Sequence, residues 1–227
     1  TALCAETGGL VPVEVMEVVL ERFDALNPSL NAVCTPTPDL AMDRAREAEK
    51  AVMDGAALGP LHGVPTTIKD LAATKGLKTM AGSHIYADQV MDQDAPFVTR
   101  LAEAGAISIG KTTTPEMGWK GCGDSPLTGA SHNPWKHGYN PGGSSTGAAI
   151  CAAAGIGPIH QGSDGAGSIR MPAGFCGVYG IKPTFGRVAY APMSNNDLIS
   201  HVGPITRTVT DAALMLGAMA GPDDRDQ

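Results

Sequence analysis

The chain has 227 residues, of which 43% are hydrophobic and 17% charged, with 29 glycines and 17 prolines. This length and composition can bury a sizeable core, which excludes general disorder. A net charge of −7 provides no basic surface for nucleic-acid phosphates, and no apolar run is long enough for a membrane span. We therefore expect a globular protein whose partner is a small molecule, with no nucleic acid and no membrane.

The cysteines are odd in number and show no C-x-x-C spacing: Cys4, Cys34, Cys122, Cys151 and Cys176. They indicate neither a disulfide framework nor a zinc site, so we expect a reducing, cytoplasmic location. The start of the chain has no basic, signal-like segment. Because it also lacks an initiator methionine, we expect a trimmed or partly observed chain.

Two helices are predicted near the start of the chain. Residues 12–26 repeat apolar side chains near a period of 3.6 and precede Asn27-Pro28, and residues 38–55 are rich in Ala, Glu and Arg and end at Gly55. The intervening "LNAVCT" predicts a short strand or turn. Residues 1–58 thus form a predicted N-terminal helical segment.

From Gly59 onward, short β-branched runs alternate with helical ones, which predicts an α/β sheet with helices on its faces. Residues 118–147 read as a long, functional loop. After it we predict a helix in "TGAAICAAAG", a strand near "IGPIHQGSD", a short helix opening at Ser168, a strand near "GVYGIKP", and a helix over 210–221 capped by Thr210 or Asp211. Residues 59–227 are the predicted core, and the whole chain is expected to be one domain.

Lys69 follows the apolar run of "GVPTTIKD" and is expected at the end of a buried strand. Loss of hydration there would lower its pKa and make it a usable base near neutral pH. A structural pairing with Asp70 or a surface partner is the alternative reading of this segment.

Two glycine-rich turns contain the candidate hydroxyl groups. In Gly142-Gly143-Ser144-Ser145 the serines are candidates for chemistry or for capping the helix that follows. In Gly165-Ala166-Gly167-Ser168, free backbone N–H groups at a helix start could hold an oxyanion beside the Ser168 hydroxyl, although a capping serine is again the alternative.

Together, "GVPTTIKD", "LAEAGAISIGKTTTPEMG", "YNPGGSSTGAAICAAAG" and "GSDGAGSIRMPAGFCGVYGIKPTFGRV" resemble the amidase signature family over about residues 59–190. The resemblance implies a central mixed β-sheet flanked by helices on both faces, and no cofactor and no metal. Family members extend well beyond the length of this chain, so the resemblance implies that the C-terminal part of the fold is absent. We expect that 227 residues alone would be poorly soluble or inactive.

By the resemblance, Lys69 is the base, Ser144 is a bridging serine preceded by a cis peptide, and Ser168 is the nucleophile. The main-chain N–H groups of Gly165, Ala166, Gly167 and Ser168 would form the oxyanion hole. Residues expected near the substrate are Met117, Gly118, Trp119, Cys122, Gly143 and Ser145, although Met117 and Trp119 could equally be core residues.

The remaining residues near these motifs are assigned structural roles. Asp164 and Arg170 are expected to be structural, paired to hold the turn, with a solvated role for Arg170 as the alternative. Cys122, Cys151 and Cys176 are expected to be small buried fillers. Ala166 stands where family members often have glycine, which matters only if this position needs a positive φ.

The implied reaction is hydrolysis of a carboxamide to an acid and ammonia or an amine through an acyl-serine. One alternative is the glutaminase half, the A chain, of a glutamyl- or aspartyl-tRNA amidotransferase, which would bring a tRNA partner. A second is a non-catalytic scaffold that retains the fold. A homodimer is also a possibility for any of these.

Overall fold

A computed structural model describes residues 11–192 and 199–226. Its α-helices are α1 (Pro12–Leu30), α2 (Pro38–Met53), α3 (Pro96–Glu103), α4 (Thr146–Ala154), α5 (Arg170–Cys176) and α6 (Val209–Met219). Its strands are β1 (Val33–Pro36), β2 (Pro65–Lys69), β3 (Ile107–Thr112), β4 (Asp124–Ser125), β5 (Gly129–Ala130), β6 (Ile159–Asp164), β7 (Tyr179–Gly180) and β8 (His201–Thr206).

The main sheet has the strand order β1-β3-β2-β6-β8-β7 within the described residues. The central strands β3, β2 and β6 are parallel, whereas β1, β8 and β7 each pair antiparallel with a neighbour. The expected mixed sheet is confirmed. Carboxyl ends of parallel strands meet at one edge, so the segments that follow Lys69, Thr112 and Asp164 start close together.

Helices pack on both faces of this sheet, as expected. One buried cluster contains residues of α1, α2 and α4, and a second contains residues of α3 and α6. In β8, Val202 belongs to the second cluster and Ile205 to the first. Because strand residues an odd number of positions apart point to opposite faces, the two clusters lie on opposite sides of the sheet.

The first helix is longer than the prediction, which ended it before Asn27-Pro28. It continues through Pro28 to Leu30, and Asn31 ends it with a left-handed φ of 51°. Pro28 has no N–H to donate to the carbonyl four residues earlier, and the helix continues only two residues beyond it. The Asn27 side chain then accepts from the N–H groups of Ala32 and Val33, which directs the chain into β1.

Two helix starts also differ from the prediction. The last helix is capped by Thr208, whose hydroxyl accepts from the N–H of Asp211 at 3.1 Å, rather than by Thr210 or Asp211. The short helix predicted to open at Ser168 begins at Arg170. Within the described residues, no helix has the length and hydropathy needed to cross a membrane.

Strand β8 was not predicted, because Gly203 and Pro204 interrupt its apolar pattern. The glycine is explained by a close approach: a Cβ at Gly203 would lie 2.2 Å from the carbonyl oxygen of Ile181. The strand pairs along the whole of β6, from Ile159↔Thr206 to Asp164↔His201. It therefore supports the strand that leads into the Ser168 turn.

Candidate active site

Lys69 is the last residue of β2 and its side chain is 1% exposed. Its Nζ lies 2.7 Å from Ser144 Oγ and 3.1 Å from the hydroxyls of Ser145 and Ser163. The backbone N–H of Lys69 donates to Gln161 Oε1 on the adjacent β6, at 2.9 Å. The amine is thus fixed by hydrogen bonds among neutral hydroxyl groups.

Burial is the main influence on the charge of Lys69. It lowers the pKa of the Lys69 ammonium to about 7, and the Asp164 carboxylate opposes this decrease. A substantial fraction of the lysine is therefore neutral at neutral pH, as the sequence led us to expect, and can accept a proton. The alternative of a direct Asp70 partner does not hold, since the hydrogen bonds of Lys69 Nζ go to the serines.

Ser144 and Ser145 immediately precede α4, but neither caps it. Ser145 occupies the N-cap position without a side-chain cap, and its hydroxyl instead donates to the carbonyl of Ser163 at 3.1 Å. The peptide bond between Gly143 and Ser144 is cis. The capping alternative for these serines is therefore wrong, and both hydroxyls face Lys69.

Ser168 lies in the turn between β6 and α5 and is half-buried. Its carbonyl accepts from the N–H of Ser145 at 3.0 Å, which joins the two serine turns. No hydrogen bond of its hydroxyl is found among the described residues, and the N-cap of α5 is Ile169. Ser168 is therefore not a capping residue. Of the two hydrogen bonds that a Ser168–Ser144–Lys69 relay needs, the structure contains the one between Lys69 and Ser144. The hydrogen bond between Ser168 and Ser144 is not formed.

The turn around Ser168 is organised by Asp164, which is 1% exposed. Arg170 donates to both carboxylate oxygens at 2.9 Å, which confirms the expected pair. Burial raises the pKa of Asp164, but the hydrogen bonds from Arg170 and from the N–H groups of Gly167, Ile169 and Arg170 outweigh burial and lower it to about 2. The carboxylate is therefore ionised at physiological pH.

Asp164 also limits which backbone N–H groups of the turn can bind an oxyanion. The N–H of Gly167 donates to Asp164 Oδ1 at 2.6 Å, so this amide is already engaged. Within the described chain, the N–H groups of Gly165, Ala166 and Ser168 have no protein acceptor. Ala166 is not among the non-glycine residues with positive φ, so its Cβ costs no backbone strain.

A cavity of about 280 Å³, here called the site cavity, opens beside these serines. Its described lining combines Ser144, Ser163, Gly165 and Ser168 with Met117 and Tyr190, and it continues along Leu71, Ala73, Thr79, Ala81, Tyr86, Gln89, Met91, Pro192 and Ser200. None of these side chains is an acid, a lysine or an arginine. The surface is thus suited to an uncharged, partly apolar ligand.

The other residues expected near the substrate differ in their placement. Met117 lines the site cavity, and a Cβ at Gly118 would lie 3.3 Å from Ser144 Oγ. Gly143 packs tightly against the backbone of residues 120–122. Trp119 is 71% exposed, which excludes a core role, and neither Trp119 nor Cys122 belongs to the described cavity lining.

The cysteine assignments hold in part. Cys151 and Cys176 are buried fillers, as predicted, but Cys122 is exposed because it lies in the surface loop before the serine turn. Cys34, Cys122, Cys151 and Cys176 are all free thiols, and Cys4 lies outside the described residues. No group of three metal-binding side chains occurs in the part of the chain that the structure describes.

Ser163 is a site residue whose contact with Lys69 was not predicted. It precedes Asp164 in β6, so its hydroxyl reaches Lys69 from the neighbouring strand at 3.1 Å. The signal available in the sequence was its position at the end of the strand predicted near "IGPIHQGSD", although the sequence does not show that this strand lies beside that of Lys69.

Comparisons with known proteins identify the family of the chain. The Amidase family model matches residues 14–227. An acylamidase from Rhodococcus erythropolis is 46% identical over 226 residues, covering 99% of this chain and 47% of that protein. The glutamyl-tRNA(Gln) amidotransferase of Geobacter sulfurreducens has an A chain that is 42% identical over 215 residues, covering 94% of this chain and 44% of that relative.

Solved structures give the same result. A bacterial aryl acylamidase of the amidase signature family superposes with a TM-score of 0.89 at 36% identity, covering 96% of this chain and 46% of that one. The peptide amidase of Stenotrophomonas maltophilia gives a TM-score of 0.91 at 35% identity, with coverages of 99% and 48%. The chain spans about half the length of these relatives. Because the family match takes in almost all of the sequence and the fold is shared throughout, the chain belongs to the amidase signature family.

Proposed function

We propose that the protein hydrolyses the C–N bond of a small, uncharged carboxamide through an acyl intermediate on Ser168. The observation that carries the proposal is the 2.7 Å contact between buried Lys69 Nζ and Ser144 Oγ, beside a cavity that Ser144 and Ser168 both line. A neutral amine so placed can accept a proton through a hydroxyl, which both donates and accepts hydrogen bonds.

In the proposed mechanism, Ser168 Oγ attacks the amide carbonyl carbon and its proton passes to Ser144, whose own proton passes to Lys69. This step requires the Ser168 hydroxyl to turn toward Ser144 when substrate is bound. The free N–H groups of Gly165, Ala166 and Ser168 stabilise the resulting oxyanion. The C–N bond then breaks as the relay returns the proton to the leaving nitrogen, and water hydrolyses the acyl-serine by the same route.

The lining of the site cavity bears on the substrate class. It includes Leu71, Met91, Met117 and two tyrosines but, among the described residues, no charged side chain. This composition favours an acyl or aryl amide, in keeping with the acylamidase and aryl acylamidase relatives. The glutaminase half of an amidotransferase is the second candidate, because a relative of that kind is 42% identical. Free glutamine carries an ammonium and a carboxylate, for which this lining offers no opposite charge.

The test is activity of the full-length protein on an aryl acylamide, an aliphatic amide, a peptide amide and glutamine, with ammonia or amine release as the readout. We expect the aryl acylamide to be hydrolysed fastest. Ser168→Ala should abolish turnover, Lys69→Ala should lower it by several orders of magnitude, and a fluorophosphonate should label Ser168. A Lys69→Ala enzyme with near-native rate would exclude the mechanism, and an unlabelled Ser168 would favour a non-catalytic scaffold.

A further inference from the structure

A second lysine, Lys111, is completely buried near the site but has no part in the proposed relay. It lies in β3, next to the strand of Lys69, and pairs with Ile68 in the sheet register. It does not belong to the described lining of the site cavity. A buried ammonium group is costly unless it is fully hydrogen-bonded, so its contacts need an explanation.

All three protons of the Lys111 ammonium find acceptors on one short segment. Nζ donates to the Ala72 carbonyl at 2.5 Å, to Thr79 Oγ1 at 2.8 Å and to Thr74 Oγ1 at 3.2 Å. An ammonium has three donors and no acceptor, so this set saturates it. The Lys111 ammonium therefore bridges Ala72 and Thr79, the two ends of the segment 72–79, by hydrogen bonds.

The same segment forms one side of the site cavity. Residues 71–81, here called the wall segment, contribute Leu71, Ala73, Thr79 and Ala81 to the lining. The residues that accept hydrogen bonds from Lys111 are therefore the same as, or directly next to, the residues that line the cavity. A shift of the wall segment would change the shape of the cavity without touching the serine relay.

Asp70 directly precedes the wall segment and holds its far end by hydrogen bonds. It is 0% exposed, its Oδ1 accepts from the N–H of Met80 at 3.1 Å, and its carbonyl accepts from the N–H of Ala81 at 3.0 Å. Burial lowers the pKa of Lys111 to about 8 and raises that of Asp70 to about 6, and the attraction between them opposes both changes. At neutral pH both groups are mainly charged, which keeps the ammonium fully able to donate.

We propose that Lys111 is a positioning residue for substrate binding: through Ala72, Thr74 and Thr79 its ammonium fixes the wall segment in the shape that accepts the amide. The inference rests on the proposed amidase function. Loss of Lys111 or of an acceptor weakens substrate binding, seen as a higher KM, more than it slows the chemical step, seen as a lower kcat.

The test compares Thr74→Val and Lys111→Met with a matched control, Thr66→Val, in the full-length protein. Thr74 accepts a hydrogen bond from Lys111 but is not in the described lining of the site cavity. The buried Thr66 hydroxyl has no hydrogen-bond partner among the residues that the structure describes. Thr74→Val removes the bond from Lys111 and also the 3.3 Å bond that the Thr74 hydroxyl donates to the Ala72 carbonyl. We expect it to raise KM about three- to tenfold, with kcat within about twofold. Lys111→Met should raise KM at least about tenfold, and Thr66→Val should change neither constant.

Amide hydrogen exchange of residues 72–81 provides a readout that does not depend on turnover. Exchange should be faster in Thr74→Val and Lys111→Met than in Thr66→Val. If Lys111→Met does not fold, Thr74→Val decides. Unchanged KM and unchanged exchange in a folded Thr74→Val protein would overturn the inference. If the unmodified protein hydrolyses no amide, the proposed function fails, and the exchange comparison alone then decides whether Lys111 holds the wall segment.

Discussion

Lys69 Nζ lies 2.7 Å from Ser144 Oγ, and both side chains are at most 2% exposed. The group that adjoins the Ser144 hydroxyl is therefore an amine that the fold shields from bulk water. The amine meets two further hydroxyls, those of Ser145 and Ser163, but no carboxylate within hydrogen-bonding distance among the described residues. A group held by neutral partners keeps the low pKa that burial imposes, and this is the property that lets a lysine replace a histidine base.

The first prediction concerns pH. Because burial lowers the pKa of Lys69 to about 7, the neutral form that accepts the proton increases as pH rises through that value. We expect kcat/KM to fall about tenfold per pH unit below the midpoint and to level off above it. The measurement is kcat/KM for an aryl acylamide from pH 5 to about 9. A profile that is flat across neutral pH would show that Lys69 is not the titrating base.

The second prediction concerns Asp164, whose carboxylate holds the Ser168 turn and also raises the pKa of Lys69. Asp164→Asn keeps the size of the side chain but loses the charge and an acceptor for Arg170. We expect kcat to fall about 10- to 100-fold, as for misplacement of a catalytic group, and the acid limb of the profile to move to lower pH. The shift is downward because removing a nearby negative charge favours neutral lysine.

Asp223→Asn is the control for that substitution. Asp223 forms a similar carboxylate–guanidinium pair with Arg225 at 2.8 Å, near the end of the chain and away from the site cavity. This variant should leave both the rate and the pH profile unchanged. Full activity with an unshifted profile in Asp164→Asn would contradict the role given to the turn.

The burial of Lys69 and the general architecture could be predicted because they depend on local pattern. A lysine after a buried β-branched run must lose hydration, and alternating strand and helix patterns produce a sheet with helices on both faces. The contact of Ser163 with Lys69 depends instead on which strands become neighbours. The sequence does not specify that order, and β6 lies beside β2 although nearly 90 residues separate them along the chain.

Glycine and proline account for most of the remaining differences. Pro28 was expected to follow the first helix, yet the helix continues two residues beyond it. Gly203 and Pro204 obscured β8, which forms because tertiary contacts compensate for weak local preference. The engagement of the Gly167 amide by Asp164 was likewise not predicted, since it depends on the side-chain geometry of the folded turn.

The third prediction compares two helical glycines. A Cβ at Gly147 in α4 would lie 1.9 Å from the carbonyl oxygen of Ala32, whereas a Cβ at Gly217 in α6 meets nothing within 4 Å. Gly147→Ala should therefore destabilise the protein by about 3 kcal/mol, as overpacking against backbone does. Gly217→Ala should stabilise it by about 0.5–1 kcal/mol, because alanine loses less entropy in a helix. Urea denaturation measures both, and equal effects would contradict the close packing of α4.

The last prediction separates the position of Ser144 from general stability. Gly118 has a φ of +72° and a Cβ there would lie 2.8 Å from Leu71 Cδ1 and 3.3 Å from Ser144 Oγ. Gly129 has a similar φ of +76° with nothing within 4 Å. Alanine at either position bears left-handed strain of about 1–2 kcal/mol. At Gly118 the methyl group must also displace the end of the Leu71 side chain, so Gly118→Ala should lose somewhat more stability than Gly129→Ala.

Only Gly118→Ala should also displace the Ser144 hydroxyl from Lys69. We expect its kcat to fall about 100-fold, since a shift of a catalytic group by about 1 Å can cost that much, while Gly129→Ala keeps near-native kcat. The measurements are kcat for an aryl acylamide and the urea denaturation midpoint of each variant. If Gly118→Ala retains kcat, the Ser144 hydroxyl is not held where the relay needs it. Since each alanine bears the same backbone strain, a loss of kcat in Gly118→Ala alone must come from the added methyl group, which contacts both Leu71 and Ser144.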